Sequence, residues 1–215
     1  MSGYYFIDFE SVDDICYQKW LQRAPEFRRE EALRFRYRRD SLLSLSAYLL
    51  LEYGTNLSRP SFYCNEFGKP YLSPQLEKSN TPFFNLSHTD GIAVCFIAKE
   101  EVGIDVEHLI EPKDSLIKYV CSDCEQRKLA QSSYPSELLT RYWVLKESYL
   151  KAIGRGLSVH PCEIDFSEYE TDSFCTNDGY CFRIISSILP KILIAVCQKT
   201  HNEIVADCMQ RVIGL

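Results

Sequence analysis

The sequence predicts an α+β fold built from two similar halves, each a helix packed against a small antiparallel sheet. In the first half, apolar residues recur at spacings of three and four over 42–53, which indicates one buried helical face. Asp90-Gly91 is a tight-turn signal between two strand-like runs. The tetrapeptide IAVC occurs at 92–95 and again at 194–197, each time in an apolar run that follows a turn. These observations together favour two related α+β halves.

The elements of the first half follow from local patterns. A first strand is expected near the start, and a long helix begins at Pro25-Glu26 and ends at Gly54. The segment 56–78 is rich in Pro, Gly and Ser and is expected to form strand and loop pieces. The predicted strands of this half are Tyr4–Phe9, Phe83–Leu86, Ile92–Ala98 and Val102–Glu107.

The second half begins with helices. After Pro112 the apolar spacing predicts two or three of them, and Gly154 and Gly156 end the last one. The strands predicted to follow are Cys162–Phe166, Cys181–Ser186 and Ile192–Cys197. With the boundary near Glu107–Pro112, the two halves are 1–107 and 108–215.

Composition excludes several classes of protein. The chain has 215 residues, a net charge of -6 and no basic stripe, which argues against nucleic-acid binding. No run of about 18 apolar residues occurs, so no membrane span is expected. The start resembles no export signal, so we expect a cytoplasmic protein whose 10 cysteines are reduced thiols.

Cys121 and Cys124 form a CxxC pair, with His160 and Cys162 further along the chain. A zinc or redox site is one interpretation of this spacing. Incidental cysteines on a helix are the other, because a second pair at ligand spacing is missing.

An acidic strand is the first candidate site. Val102–Glu107 alternates, so Val102, Ile104 and Val106 are expected to face the core while Asp105 and Glu107 share the other face. Two adjacent carboxylates repel each other unless a cation lies between them, and carboxylate oxygens suit Mg²⁺. The alternative is an edge strand with a solvated acidic face.

The helix predicted over 138–152 carries the second candidate. Its main apolar stripe lies opposite Glu147, which has Trp143 and Lys151 four residues to either side. Further apolar residues flank Glu147, which favours burial of Glu147 and Lys151 between two layers. The alternative is an exposed Glu–Lys pair.

Ser87 and His88 lie near a predicted strand end and could bind a phosphate; a satisfied turn is the alternative. A Ser–His–Asp hydrolase is disfavoured, because the side chains of two consecutive residues point apart on an extended chain and no GxSxG motif occurs. Six arginines cluster at the start of the first long helix among acidic residues: Arg28, Arg29, Arg34, Arg36, Arg38 and Arg39. Arginines suit phosphates, although a solvated mixed-charge face is an equal alternative.

Four motifs together resemble the phosphopantetheinyl transferase superfamily, specifically its larger Sfp-type members. They are FGKP at 67–70, NLSH at 85–88, VGIDVE at 102–107 and WVLKESYLK at 143–151. The last two are specific as an ordered pair about forty residues apart. The similarity runs from about Glu26 to Cys197, most of the chain.

The resemblance implies a pseudo-two-fold pair of halves with the active site in the cleft between them. It implies that three carboxylates hold Mg²⁺ against the pyrophosphate of coenzyme A, with Glu147 also the base for the carrier serine. The implied metal ligands are Asp105, Glu107 and Glu147, and the implied coenzyme A contacts are Arg28, Lys69, Ser87, His88 and Lys151. The implied partner is an apo acyl- or peptidyl-carrier protein, and a monomer is expected.

Two positions depart from the family pattern. Val144 stands where the family often has Ser, Thr or Cys, and it is expected to point away from the cleft. Glu31 stands where the family often has a basic residue, which weakens the inference for the adenosine 3′-phosphate contact and for Ser44 as a participant.

The mechanism expected from the resemblance is displacement at the β-phosphorus of coenzyme A by the carrier serine, with adenosine 3′,5′-bisphosphate leaving. Two rival functions stay open. One is a Mg²⁺-dependent phosphoester hydrolase, which would share the carboxylates. The other is an inert carrier-binding module, which would have no need of a metal cluster. Carrier proteins of this kind are usually acidic, as this chain is, so a local apolar or basic patch is expected to dock them.

Overall fold

The computed structural model describes residues 3–57, 60–73, 81–186, 188–200 and 209–212. The strands are β1 (Gly3–Asp8), β2 (Phe62–Cys64), β3 (Pro70–Leu72), β4 (Phe83–Thr89), β5 (Ile92–Ala98), β6 (Val102–His108), β7 (Ser173–Cys175), β8 (Tyr180–Ile185), β9 (Ile192–Lys199) and β10 (Met209–Arg211). The helices are α1 (Asp14–Arg23), α2 (Glu26–Arg34), α3 (Arg38–Thr55), α4 (Asp114–Val120), α5 (Asp123–Gln131) and α6 (Pro135–Ile153). In the described parts of the chain, no helix has the length and apolar character that a bilayer span needs.

The chain divides into two compact units. The first unit comprises Met1–Tyr63, Pro70–Lys99 and Ala206–Leu215, and the second comprises Cys64–Lys69 and Glu100–Val205. The predicted halves met after residue 107, whereas strand β6 lies in the second unit and the end of the chain lies in the first.

The first unit is a four-stranded sheet covered by α3. The strand order is β10-β1-β5-β4, in which β4 and β5 form an antiparallel hairpin and β1 is antiparallel to β5. Only the edge pair β1–β10 is parallel among the described pairings of this sheet. Leu42, Leu45 and Leu49 of α3 are buried in the same core as Ala93 and Cys95 of β5. The predicted apolar stripe is therefore confirmed as a core-facing surface at these three leucines, whereas its fourth member, Tyr53, is 46% exposed.

The second unit repeats this arrangement. Its strand order is β6-β9-β8-β7, all antiparallel, and α6 packs on β6 and β9. Leu145 and Ala152 of α6 share a core with Ala195 and Cys197 of β9. Val144, expected to point away from any site, is fully buried in that core. The α+β fold class, with a helix on a small sheet in each half, is confirmed.

Helix α6 has clear local boundaries. Pro135 occupies its first turn, where a missing N–H costs nothing. Gly154 ends the helix in the left-handed conformation at φ 68°, which glycine adopts without a Cβ clash. The glycine predicted to end this helix therefore does so.

Two element predictions were wrong. The single long helix expected from Pro25 is two helices, α2 and α3, separated by extended residues Phe35 and Tyr37. The strand predicted over Cys162–Phe166 contains a short 3-10 turn at Pro161–Glu163 instead. At the end of the second segment, the backbone N–H of Phe166 donates to the Glu125 side chain rather than to a neighbouring strand.

The expectation that every cysteine is a reduced thiol was also wrong. Cys175 of β7 and Cys181 of β8 are directly paired across the hairpin and form a disulfide. Cross-strand neighbours are close enough for that bond. Cys95 and Cys197 are free and fully buried, as expected for thiols that act as small apolar side chains.

Candidate active site

Strand β6 and helix α6 approach each other most closely at Gly103. A Cβ atom at this position would lie 1.9 Å from the carbonyl oxygen of Ser148 and 2.6 Å from the backbone nitrogen of Ala152. Both contacts are backbone atoms of a helix and cannot move aside independently. Glycine is therefore required where the helix crosses the strand, and the next side chains on that face of β6 are held against α6.

The first of those side chains is Asp105. Its Oδ1 accepts a hydrogen bond from Lys151 Nζ at 2.6 Å. The Asp105 side chain is only 4% exposed, whereas that of Lys151 is 29% exposed. The pair thus has a buried carboxylate and an ammonium that reaches solvent.

Glu107 is two residues further along the same strand face. Its Oε1 accepts a hydrogen bond of 3.3 Å from the indole Nε1 of Trp143 on α6. Because an indole N–H only donates, this contact orients the Glu107 carboxylate towards the helix. Trp143 was predicted to flank Glu147 as an apolar residue, and its role as a donor to Glu107 was not foreseen.

The predicted burial of the apolar face of β6 is confirmed, but the opposite face is covered as well. Val102, Ile104 and Val106 were expected to face the core, and they are fully buried. However, the helix and the core residues of β9 lie on the face of Asp105, as its contact with Lys151 and its pairing with Ala195 show. Both faces of the strand are therefore buried, and alternation alone could not identify the one that meets the helix.

Glu147 completes the cluster from the middle of α6. Burial raises the pKa of its carboxyl group, the nearby negative charges of Asp105 and Glu107 raise it further, and Lys151 opposes the rise. The electrostatic coupling places Glu147 in the same neighbourhood as both carboxylates of β6. The second unit thus brings together Asp105, Glu107, Glu147 and Lys151, as the sequence predicted.

The donor chemistry of this cluster fits Mg²⁺. After burial, the charges of Asp105 and Glu107 raise the pKa of Glu147, so the three carboxylates form a negative site that a cation stabilises, and oxygen is the ligand atom that Mg²⁺ prefers. The side chains are not already gathered around one point: within the described ranges, no group of three or more His, Cys, Asp or Glu residues is close enough to hold a metal ion. Lys151 supplies the positive charge beside Asp105 in this arrangement.

Lys69 has a different environment from the one expected. Its Nζ donates to the backbone carbonyls of Val102 at 3.3 Å and Ala152 at 2.7 Å, and it forms an ion pair with Glu101. Burial is the main cause that lowers its pKa, and the hydrogen bond from Nζ to Glu101 opposes this. Lys69 therefore ties the start of β6 to the end of α6, a structural role that the motif did not reveal.

Asn65 holds the loop that carries Lys69. Its Oδ1 accepts from the backbone N–H groups of Phe67 and Lys69, and its Nδ2 donates to the carbonyl of Gly154 at 3.0 Å. The hydrogen bond to Gly154 attaches the loop to the end of α6. The sequence signal that could have identified it is the turn pattern Asn65-Glu66-Phe67-Gly68, in which an Asn side chain bonds the backbone two residues on.

Ser87 and His88 lie in the first unit. Strand β4 continues through both residues to Thr89, so neither lies in the turn that was the alternative interpretation. Ser87 is buried and His88 is exposed, as expected for neighbours on opposite faces of a strand. Side chains on opposite faces of one strand do not suit the Ser–His contact that a hydrolase needs.

Arg28 also lies in the first unit, on α2. Its guanidinium lies 5.6 Å from the ring centres of Phe27 and Phe62 and forms an ion pair of 2.8 Å with Glu31. The acidic residue that departs from the family pattern thus occupies part of the arginine's binding capacity. In the described part of the chain, the buried Nε of Arg28 and the buried hydroxyl of Ser44 on α3 have no hydrogen-bond partner. Such buried polar atoms favour a ligand that would satisfy them.

The CxxC pair shows no sign of a zinc site. Cys121 is buried, and its pKa is raised to about 12, chiefly by burial, which keeps it a neutral thiol. Cys124 accepts a hydrogen bond from Arg127 at 3.0 Å. Among the described residues, these two cysteines belong to no group of three or more His, Cys, Asp or Glu that could hold a metal ion.

Comparison with known proteins agrees with this geometry. Residues 101–197 match the family model of the 4'-phosphopantetheinyl transferase superfamily. This region, which is less than half of the chain, is similar to that superfamily. It includes both strand carboxylates, Glu147 and Lys151, so the resemblance inferred from the motifs is confirmed where the cluster lies.

Individual relatives extend the similarity. A 4'-phosphopantetheinyl transferase of Bacillus subtilis is 30% identical over 61% of this chain and 61% of its own length. The transferase HetI of Nostoc sp. is 34% identical over 62% of this chain and 55% of its own length. The L-aminoadipate-semialdehyde dehydrogenase-phosphopantetheinyl transferase of Saccharomyces cerevisiae is 28% identical over 94% of this chain and 78% of its own length. The chain thus spans about three fifths of the first of these relatives.

Proposed function

We propose that this protein transfers the 4'-phosphopantetheine moiety of coenzyme A to a serine of an apo acyl- or peptidyl-carrier protein. The observation that carries the proposal is the cluster of three carboxylates and Lys151 between β6 and α6, inside the region that matches the superfamily model. A carrier-binding module without activity would have no need to keep carboxylates together against their mutual repulsion.

Asp105, Glu107 and Glu147 would hold Mg²⁺. When bound, the ion would neutralise pyrophosphate oxygens as negative charge builds on them. The protein's own contribution at this point is Lys151, whose partly exposed ammonium can move from Asp105 to a phosphate oxygen.

The reaction is a single displacement. The serine hydroxyl oxygen of the carrier forms a bond to the β-phosphorus, and the bond from that phosphorus to the bridging oxygen breaks. Adenosine 3',5'-bisphosphate leaves with the electron pair of that bond. The serine proton passes to the Glu147 carboxylate, directly or through a water.

The first unit would contribute contacts to coenzyme A. The unpartnered Arg28 Nε and Ser44 hydroxyl are suited to a phosphate, and Ser87 and His88 are further candidates from β4. Lys69 is assigned a supporting role, because its ammonium is already bonded to two backbone carbonyls and to Glu101. We place the reaction in the cytoplasm, with the chain acting as a monomer.

The decisive experiment is to incubate the purified protein with coenzyme A, MgCl₂ and a panel of apo carrier proteins. Intact-mass spectrometry should show a carrier that gains the mass of phosphopantetheine, with equimolar adenosine 3',5'-bisphosphate. Release of the bisphosphate without any gain of carrier mass would identify a phosphoester hydrolase instead. Binding of coenzyme A without either product would identify an inert binding module.

A further inference from the structure

A short cationic and aromatic segment projects from the first unit. Residues 33–39 read LRFRYRR, with apolar and arginine side chains in alternation. The segment covers the end of α2, two extended residues and the start of α3, and all seven residues are exposed. Its apolar members are 62%, 43% and 58% exposed: Leu33, Phe35 and Tyr37. A soluble surface does not ordinarily present three large apolar side chains so close together.

The segment is held in place from one side. Arg38 forms a 2.6 Å ion pair with Asp14, donates to the carbonyl of Val12 at 3.1 Å and lies 5.2 Å from the ring centre of Tyr17. These contacts attach the start of α3 to α1 and to the residues that precede α1. Because the backbone is already ordered, a partner would bind it without the entropy cost of ordering a loop.

Two of the arginines point their charge outward. Arg34 is 80% exposed, and the carboxylate of Glu30 is 3.8 Å away. Arg36 contacts the ring of Tyr37 at 5.4 Å, and in the described parts of the chain no carboxylate lies within ion-pair distance of it. The segment therefore presents positive charge next to apolar rings.

The sign of this charge is opposite to that of the chain. Residues 33–39 hold four arginines and no acidic residue, although the net charge is -6. Three of these arginines have carboxylates of other segments within 4 Å: Arg34 has Glu30, Arg38 has Asp14, and Arg39 has Asp40 and Asp90. An acidic protein would be repelled by the chain on average and attracted at this segment. Such local complementarity steers an encounter and fixes its orientation.

We propose that residues 33–39 form the docking surface for the carrier protein, whose contact face would combine acidic side chains with apolar ones. The inference rests on the proposed function for the identity of the partner. Arg34 and Arg36 would pair with carboxylates, and Leu33, Phe35 and Tyr37 would pack against apolar side chains, an arrangement typical of protein interfaces.

The test is a double charge reversal, Arg34→Glu with Arg36→Glu. Both side chains are on the surface, so stability should change little. The matched control is Lys19→Glu, which reverses an exposed charge on α1 outside the segment. Two quantities are measured for each protein: the Kd for a fluorescently labelled acidic apo acyl carrier protein, and the KM values for that carrier and for coenzyme A.

The expected result is a rise of at least about tenfold in the Kd and KM for the carrier in the double variant, with kcat and the KM for coenzyme A unchanged. Added salt should weaken carrier binding of the wild type more than that of the double variant. The control should behave as the wild type. Phe35→Ser should weaken carrier binding as well, because the apolar contact is part of the proposed surface.

An unchanged carrier Kd in the double variant overturns the inference, whatever the transfer assay shows. Binding of the wild type but not the double variant to phosphatidylserine vesicles, with the carrier Kd unchanged, would assign the segment to a membrane and overturn it equally. Carrier binding that depends on Arg34 and Arg36 without any transfer would support the docking surface and refute the proposed function. A failure of the proposed docking surface and a failure of the proposed function therefore give different results.

Discussion

The two units share a long helix and three antiparallel strands in the same order, β1-β5-β4 and β6-β9-β8, but differ at the first strand of each set. In the first unit, β1 places Tyr5 and Ile7 opposite Cys95 and Ala93 of β5. The same register in the second unit places Gly103 and Asp105 of β6 opposite Cys197 and Ala195 of the repeated tetrapeptide. An aromatic and an aliphatic residue in one copy are thus replaced by a glycine and a carboxylate in the other.

The consequences of that replacement are physical. In the first unit Tyr5 and Ile7 fill the space between sheet and helix, and both belong to the apolar core. In the second unit Gly103 lets the helix backbone approach, and Asp105 meets Lys151 instead of an apolar side chain. At these positions the first unit buries apolar side chains, whereas the second unit holds charged groups together and has fewer apolar contacts. Such a departure from a stable pattern is expected at a functional site.

Removing the carboxylate that distinguishes the second unit from the first should have its largest effect on activity. Asp105→Ala should lower kcat/KM for carrier modification by about 10³-fold or more, because it removes a carboxylate from the cluster and leaves Lys151 without that partner. Mass-spectrometric transfer assays measure the rate, and circular dichroism should show an intact fold. Near-normal activity in Mg²⁺ buffer would exclude Asp105 from the metal site.

The second-largest expected effect distinguishes a lysine of α6 that stabilises the fold from a lysine that serves the reaction. Lys146 and Glu125 are both completely buried, and Lys146 also donates to the carbonyl of Val120. Lys146→Met should therefore lower the free energy of unfolding by about 3–5 kcal/mol, because it leaves a buried carboxylate without its cation. Urea denaturation measures the change.

Lys151→Met is the matched substitution on the same helix. Because Lys151 reaches solvent, its loss should cost less stability than that of Lys146 and far more activity. Equal losses of stability in the two variants would contradict the distinction between a fully buried ion pair and one whose lysine is partly exposed.

The third effect concerns the close approach at Gly103. Gly103→Ala should destabilise the protein by about 3 kcal/mol, since its Cβ would overlap helix backbone atoms. The control is Gly54→Ala in the other unit, where the added Cβ would meet the ends of the Ile97 and Tyr5 side chains. Those side chains can rotate away, so the control should lose less stability. A larger loss at Gly54 would show that backbone contact is not the deciding factor.

The smallest effect is on the pH dependence of stability without metal. The folded state raises the pKa of Glu147, so it holds this proton more tightly than the unfolded state does. The resulting stabilisation is present below the unfolded-state pKa and is lost as the pH rises through the folded-state pKa.

Glu147→Gln cannot ionise, so its free energy of unfolding should fall less than that of the wild type between acidic and neutral pH. Denaturation in EDTA at several pH values measures this, with Glu137→Gln as a substitution at an exposed position of the same helix. A parallel pH response of the wild type and the Glu147 variant would contradict the effect of burial on this carboxyl group.

Some parts of the molecule were accessible to sequence reasoning because the signal is local. The hairpin at Asp90-Gly91 and the left-handed end of α6 at Gly154 depend on residues that tolerate positive φ, and both glycines adopt it. Helix α1 and the edge strand β10 were not predicted. The strand β10 lies near the other end of the chain and pairs with β1, and no local sequence pattern predicts a pairing between such distant segments.

The sequence by itself determined the chemistry of the candidate site. The alternation of Asp105 and Glu107, and the four-residue spacing of Glu147 and Lys151, follow from the periods of strand and helix alone. Tertiary structure decided which face of β6 meets the helix, because both faces are buried and only Gly103 permits the approach. It also turned Lys69 inward to backbone carbonyls and left residues 33–39 exposed, since such outcomes depend on packing between distant segments rather than on local pattern.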